Sequence, residues 1–280
     1  MRPEISDVPL LVTTSWDDGH PSDFRVADLL ERHGLQGTFY VPCRNSEGRP
    51  VMQPTEIAQL GRRFEIGGHT YDHVSLTKIA PHLAAAQILA NKYWLEDLLG
   101  RQLHGFAYVR GHHNHIIRSL VAKAGYSYAR TVKNLMSTPG SNILEVSTTI
   151  QFFAHSRATY IRNYVSGRPT LERSAVLAAV LGNTGLATRL STAAEVCSRT
   201  GGYFHLWGHS WELDQHGLWG ELDCLLGQLR HLNARFMTND VWCENLSTRA
   251  VAQTLVAAGT QMDPLSRPRE SRRPPSRCVP

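Results

Sequence analysis

No two cysteines in this sequence stand in a Cys-x-x-Cys spacing, although the chain has five of them: Cys43, Cys197, Cys224, Cys243 and Cys278. The count is odd and the positions are scattered, which argues against a disulfide framework. Reduced thiols in a cytoplasmic protein, mostly buried as small hydrophobes, are the expectation. No apolar run approaches membrane-spanning length, and Met1-Arg2-Pro3-Glu4 lacks the apolar stretch of a secretory signal, so a cytoplasmic location is the default expectation. Gly-x-Ser-x-Gly, a phosphate-binding Gly-Lys-Ser/Thr loop and a dinucleotide fingerprint are all missing, so serine acyl transfer and nucleotide chemistry have no support.

Charge of one sign is also scarce in the body of the chain. The net charge is +5, but Arg267, Arg269, Arg272, Arg273 and Arg277 against the single Glu270 leave the last stretch at +4. The remainder is close to neutral, and a nucleic-acid surface is not expected. A hydrophobic content of 42% allows a large core. From about Asp263 the composition turns to Pro, Arg and Ser. The sequence therefore divides into a short extension (1–7), one domain (8–262) and a disordered tail (263–280).

What is present is an alternation of β-type runs and helical patterns. Strands are expected at Leu10–Thr14, Thr38–Val41, Phe64–Ile66, Leu103–Tyr108, Tyr126–Ala129, Tyr203–Trp207 and Phe236–Thr238, with Asn142–Val146 a further candidate. Helices are expected at Ser22–His33 with Ser22 as N-cap and Gly34 beyond its end, from Pro54, from Pro81 to Leu99 closed by Gly100, and at His115–Ala124, Leu171–Leu181 and Trp219–Leu232. Strand-then-helix repetition predicts an α/β fold with a parallel sheet or barrel and helices outside. In such folds, sites gather at the carboxyl ends of the strands.

The chemistry-bearing residues fall at those ends. Asp17-Asp18-Gly19 follows the first strand; the triplet makes a turn by itself, but two adjacent carboxylates beside a metal can divide the work of ligand and base. His69 and His73 follow the third strand at a spacing that suits Zn²⁺ or a similar ion, though unrelated loop histidines could share it. His209 ends a late strand. His205 is its rival as proton donor, but four residues back in a strand it lies ~13 Å away. His112, His113 and His115 read as exposed or substrate-facing, and Asn114 as a helix cap.

Thr13-Thr14-Ser15-Trp16-Asp17-Asp18-Gly19 resembles the first motif of the NodB-homology polysaccharide deacetylases (carbohydrate esterase family 4), usually Thr-Phe-Asp-Asp-Gly. His69-Thr70-Tyr71-Asp72-His73 resembles the second, His-Ser/Thr-x-x-His/Asp. The likeness spans roughly residues 8–240. It implies an irregular (β/α) barrel, a divalent metal (Zn²⁺, with Co²⁺, Mn²⁺ or Ni²⁺ as options) on Asp18, His69 and His73, and Asp17 as the base. The third motif departs: Arg-x-Pro-Tyr-Gly aligns with Ala107-Tyr108-Val109-Arg110-Gly111. The arginine that steadies the base is missing at Ala107, and Arg110 or Arg130 is the candidate to replace it. The backbone N–H of Arg110 would hold the oxyanion. The last motif resembles Tyr203 to Glu212, which implies His209 as general acid, Leu206 and Trp207 as an apolar wall for the acyl methyl, and Trp211 or Trp16 against a sugar ring.

These residues predict a metal-dependent hydrolase that removes an N-acetyl or related N-acyl group from an amino sugar or polysaccharide. Two alternatives remain open: hydrolysis of another non-peptide C–N bond in a small soluble substrate, and a carbohydrate-binding or regulatory protein that kept the fold without turnover. No nucleic-acid partner and no membrane span are expected.

Overall fold

The computed structural model describes residues 9–182 and 185–245. By internal contacts the chain divides into a unit Met1–Cys243 and a unit Glu244–Pro280, of which only residues 244 and 245 are described. The expected extension and tail, and the domain end at 262, lie outside the described residues. Eight strands form one sheet: β1 (Leu10–Asp17), β2 (Thr38–Val41), β3 (Glu65–Gly68), β4 (Gly105–Ala107), β5 (Tyr128–Arg130), β6 (Ile150–Gln151), β7 (Tyr203–Gly208) and β8 (Ala234–Phe236). Their order is β5-β4-β3-β2-β1-β7-β6, every pairing is parallel, and β8 pairs with the first residues of β1. The connecting helices are α1 (Asp23–His33), α2 (Pro54–Gly61), α3 (Pro81–Leu99), α4 (His115–Lys123), α5 (Arg157–Ser166), α6 (Leu171–Val180), α7 (Leu186–Thr200), α8 (Ser210–His216) and α9 (Trp219–Leu229). None of the described helices is long and apolar enough to cross a membrane.

Local chemistry explains most of the boundaries. Gly34 and Gly100 end α1 and α3 in the left-handed conformation, at φ 71° and 66°, where a side chain would be strained. The Asn114 carboxamide accepts from the Ile117 N–H at 3.0 Å and opens α4. Ser22 stands at the α1 N-cap, but its hydroxyl bonds Asp214 rather than a helix N–H. Asn142–Val146 is not a strand: Ile143–Glu145 is one 3₁₀ turn, and Val146 alone bridges to Arg130. The last strand is 234–236 rather than 236–238, in register with Leu10–Val12.

The two-residue period of a strand sorts the sheet into two unlike faces. Leu10, Val12, Trp16, Phe39, Val41, Ile66, Phe106, Ala129, Phe204 and Leu206 face outward into the apolar layer beneath the helices. The inner face carries Tyr40, Ala107, Tyr128 and Tyr203, and with them the buried polar Thr13, Ser15, Asp17, Thr38, Glu65, Arg130 and His205. Most of the polar groups there satisfy one another, as burial favours. Thr38 and Tyr128 donate to Glu65, the Tyr40 hydroxyl donates to that of Tyr128 at 3.2 Å, and Asn239 donates to Tyr40 at 2.9 Å.

Candidate active site

β1 ends in a sharp reversal, with Asp18 at φ 78° and Gly19 at φ 60°. A Cβ at Gly19 would lie 2.8 Å from the Val41 side chain, so this turn has no room for another residue. The reversal leaves Asp17 on the inner face and turns Asp18 across the strand ends toward the loop after β3. That loop is held from several sides. Asn91 on α3 accepts from the His69 N–H at 2.8 Å, and the Tyr71 and Asp72 N–H groups bond Gln87. Thr70 and His73 take left-handed backbone conformations at φ 66° and 54°, a strain that the surrounding bonds sustain.

Asp18, His69 and His73 converge, all buried, with one ligand atom of each within 4.8 Å of the others. Asp18 Oδ1 lies 3.0 Å from His73 Nε2 and 3.6 Å from His69 Nε2, and it has no hydrogen-bond partner. His69 Nδ1 stands 2.8 Å from the Ala107 carbonyl, which only accepts, so Nδ1 carries the proton and Nε2 presents a lone pair. Two acceptors therefore face each other across a short buried gap, an arrangement that suits a cation. Burial alone would raise the Asp18 carboxyl; without a cation, hydrogen bonds from protonated His69 and His73 and the charge of His209 hold it well below the usual carboxylate range. The donor set fits a first-row divalent ion with open positions.

Asp17 has a different partner. Arg130, fully buried at the end of β5, donates through Nη2 to both carboxylate oxygens of Asp17. Its guanidinium also lies 5.2 Å from the rings of Tyr40 and Trp207. Arg130 is the register partner of Ala107 on the neighbouring strand, so a guanidinium reaches Asp17 from one strand further along the sheet. Arg110 is not that group. Its side chain is exposed, pairs with Glu47 at 2.8 Å and lines the cleft, with its backbone at φ 57°.

Across the cleft, His209 occupies the N-cap position of α8 and its Nδ1 lies 2.8 Å from Glu212 Oε2. Burial pulls its pKa down, but the Glu212 hydrogen bond and the charges of Asp18, Glu212 and Asp17 outweigh that and raise it to about 9. At neutral pH the ring is a cation with a proton to give. Gln151 donates to the same Glu212 oxygen at 3.0 Å, fixing the carboxylate that orients the ring. His205 has no such position. It is fully buried on the inner face between the Thr13 and Ser15 hydroxyls at 2.6 and 2.9 Å, and burial and the Arg130 charge keep it neutral.

The cleft, about 340 Å³, is lined by Asp17, Asp18, His69, His73, Arg110, His209, Trp207 and Trp211. Eight of the nine expected site residues are thus brought together. Leu206 is the exception: the strand period that turns His205 and Trp207 inward turns Leu206 out into the helix-covered core. Trp16 is likewise a core residue, packed against Phe152. The indole of Trp211 donates to Asp18 Oδ2 at 2.9 Å and has the Arg49 guanidinium 3.3 Å over its ring, so it steadies the Asp18 carboxylate rather than leaving that face open to a sugar. Asp72 bonds Arg44 and Gln87, away from the centre. His112 bonds Ser75, and His113 stacks on Tyr108.

Several contributors have no sequence signature. Glu47 reaches to 3.5 Å from His73 Nδ1 out of a turn. Asp23, fully buried behind the site with both carboxyl oxygens unpartnered, is pushed well above its usual range by burial and by the charges of Asp18 and Asp17. Its place in α1 could have been read as a helix-start acid and nothing more.

Residues 9–129 match the family model described as polysaccharide deacetylase. No curated protein matches the chain in sequence. Among solved structures, a candidate polysaccharide deacetylase from Mycobacterium smegmatis superposes with a TM-score of 0.63 at 14% identity, over 88% of this chain and 93% of that one. A family 4 acetyl xylan esterase from Clostridium thermocellum, solved with a cobalt ion, gives 0.51 at 14% identity over 84% and 91%. The chain spans 62% of the length of a Streptococcus pyogenes deacetylase solved with acetate, which covers 48% of this chain at 16% identity and a TM-score of 0.45. The curled parallel sheet with outer helices is the NodB-type deacetylase fold. Over residues 9–129 the chain resembles the polysaccharide deacetylases in sequence, and over most of its length it shares their fold.

Proposed function

We propose that this protein is a divalent-metal-dependent hydrolase that removes an N-acyl group, acetyl first of all, from an amino sugar. The observation that carries the reading is the convergence of Asp18, His69 and His73 beside an Asp17 carboxylate gripped by Arg130. Asp18, His69 and His73 hold the cation, which when bound supplies Lewis acidity to the acyl carbonyl and to water. Asp17 takes the proton of the attacking water, and Arg130 keeps its carboxylate aimed and buried. The backbone N–H of Arg110 faces the oxygen that gains charge. His209 gives its Nε2 proton to the departing amine, with Glu212 holding the opposite ring nitrogen. Acetate and a free amino sugar leave.

Zinc is the favoured ion for a two-His, one-Asp set, and the cobalt in the Clostridium esterase supports a site that also takes neighbouring first-row metals. The reading of a binding protein without turnover drew on Ala107; the Arg130–Asp17 contact supports the enzyme reading instead. The test is metal analysis of the purified protein followed by acetate release from N-acetylglucosamine oligomers, nucleotide sugars and small acylated amines. Asp17→Asn should lower the rate by ~10²–10⁴-fold with metal retained; a near wild-type rate in that variant, or a protein without stoichiometric metal, would refute the mechanism.

A further inference from the structure

Val132, Gln151 and Trp207 line both the cleft and a second, lateral cavity of about 410 Å³ between the 131–134 segment and α5 and α6. Its lining includes Lys133, Arg162 and Arg173 and contains no aspartate or glutamate. Arg173 is the deepest of the three, 2% exposed. Its guanidinium donates to the carbonyls of Asn134, Asn163, Tyr164 and Arg168 and to the Asn134 side chain, all neutral acceptors. Dipoles hold the group in place, and no carboxylate is hydrogen-bonded to it. Neighbouring Glu172 is taken up by Ser137 and Thr138.

Gly167 lets the backbone pack directly against this guanidinium, since a Cβ there would come within 2.6 Å of Nη2. Lys133 and Arg162 are exposed around the same cavity, and no acid pairs with either among the described residues. Two unpaired cations and a buried third, in a lining without carboxylates, make a field that favours an anion. A second sign of a ligand stands at the junction. Trp207 Nε1, on the residue that lines both cavities, is a buried donor without an acceptor.

We infer that the lateral pocket receives an anionic substituent, a phosphate or carboxylate, carried by the same N-acylated sugar whose amide lies in the cleft. The anion half of this inference stands on the pocket alone; its link to the acyl sugar rests on the deacetylase reading. The substrate class is then a sugar phosphate, a nucleotide sugar or an acylated amino sugar acid, rather than a neutral polymer.

The test uses the intact protein loaded with metal and the charge reversal K133E/R162E, which spares Arg173 and its structural bonds. Calorimetric titration with inorganic phosphate and with glucuronate should show binding that the double variant weakens roughly tenfold, the size of one lost charge-assisted contact. Because the metal itself could take phosphate, only the difference between the two proteins counts. In parallel, acetate release is measured on N-acetylglucosamine 1-phosphate, a nucleotide sugar, an N-acetylated amino uronate and neutral N-acetylglucosamine oligomers. The ratio of anionic to neutral kcat/KM should favour the anionic substrates and fall about tenfold in the variant. Phosphate and carboxylate arms identify which anion is meant. Equal probe binding by both proteins, or a ratio that the variant leaves unmoved, overturns the inference. Variant-sensitive probe binding without acyl release from any substrate would leave the pocket standing and fell the deacetylase reading; turnover of neutral oligomers without probe binding would do the reverse.

Discussion

The outer and inner faces of this sheet are built from alternate residues of the same strands, yet they follow opposite rules. Outward, Val12, Phe39, Ile66, Phe106 and Leu206 pack under helices, and each position contributes through area removed from water. Inward, Thr13, Ser15, Asp17, Glu65, Arg130 and His205 are just as buried but are held by specific hydrogen bonds. The outer face tolerates exchange of shape for shape. The inner face is a set of paired commitments, in which removing one member leaves another stranded. Function sits where the committed face reaches the strand ends.

The sharpest way to break that difference is Arg130→Met. It strands the Asp17 carboxylate, and breaking a buried pair of this kind costs ~3–5 kcal/mol. Turnover should fall by roughly 10²–10³-fold while metal content is kept, as read from steady-state kinetics and metal analysis. Leu206→Ala probes the opposite face one residue from His205. It should cost ~2–5 kcal/mol of stability through a cavity, measured by denaturant unfolding, with the activity of the folded fraction retained. Had Leu206 formed the acyl wall, KM for the acyl group would move instead. Trp211→Phe removes the 2.9 Å bond to Asp18 Oδ2 and should weaken metal binding by ~10–100-fold, read by competition with a chelating dye.

The smallest effect is a titration. In the metal-free protein the His209 imidazole should lose its proton near pH 9, and Glu212→Gln should move that midpoint down; two-dimensional NMR of the ring reads both. Its folded pKa stands above the ordinary histidine value of 6.5, so its contribution to stability is complete below about 6.5 and is lost as pH rises through about 9. If it is the acid, turnover declines over the same upper range.

Much of the committed face was legible in the sequence because each motif is local. Asp17-Asp18, His69-x-x-x-His73 and His209 each follow a strand that the alternation of elements predicts, and parallel α/β geometry brings strand ends together. What was not legible depends on lateral register. Nothing in the order of residues says that position 130 lies beside position 107. The missed helices fail for local reasons. α5 buries only Tyr160 and so has no apolar stripe; α7 buries Ala187, Ala193 and Ala194 among its core positions, which read weakly as hydrophobic; α8 is seven residues long and starts straight after β7. Leu206 was misassigned because a neighbour in sequence was taken for a neighbour in space.

The register of Ala107 with Arg130 also bears on how such chains diverge. Side chains at register-paired positions of adjacent parallel strands project from the same face, so either one can deliver a guanidinium to the same carboxylate. A lineage can then exchange the residue that supplies it through an intermediate carrying both, without passing through a dead enzyme. Ancestry would be written in sheet coordinates, and a search that demands arginine at the head of the third motif would discard working relatives as relics.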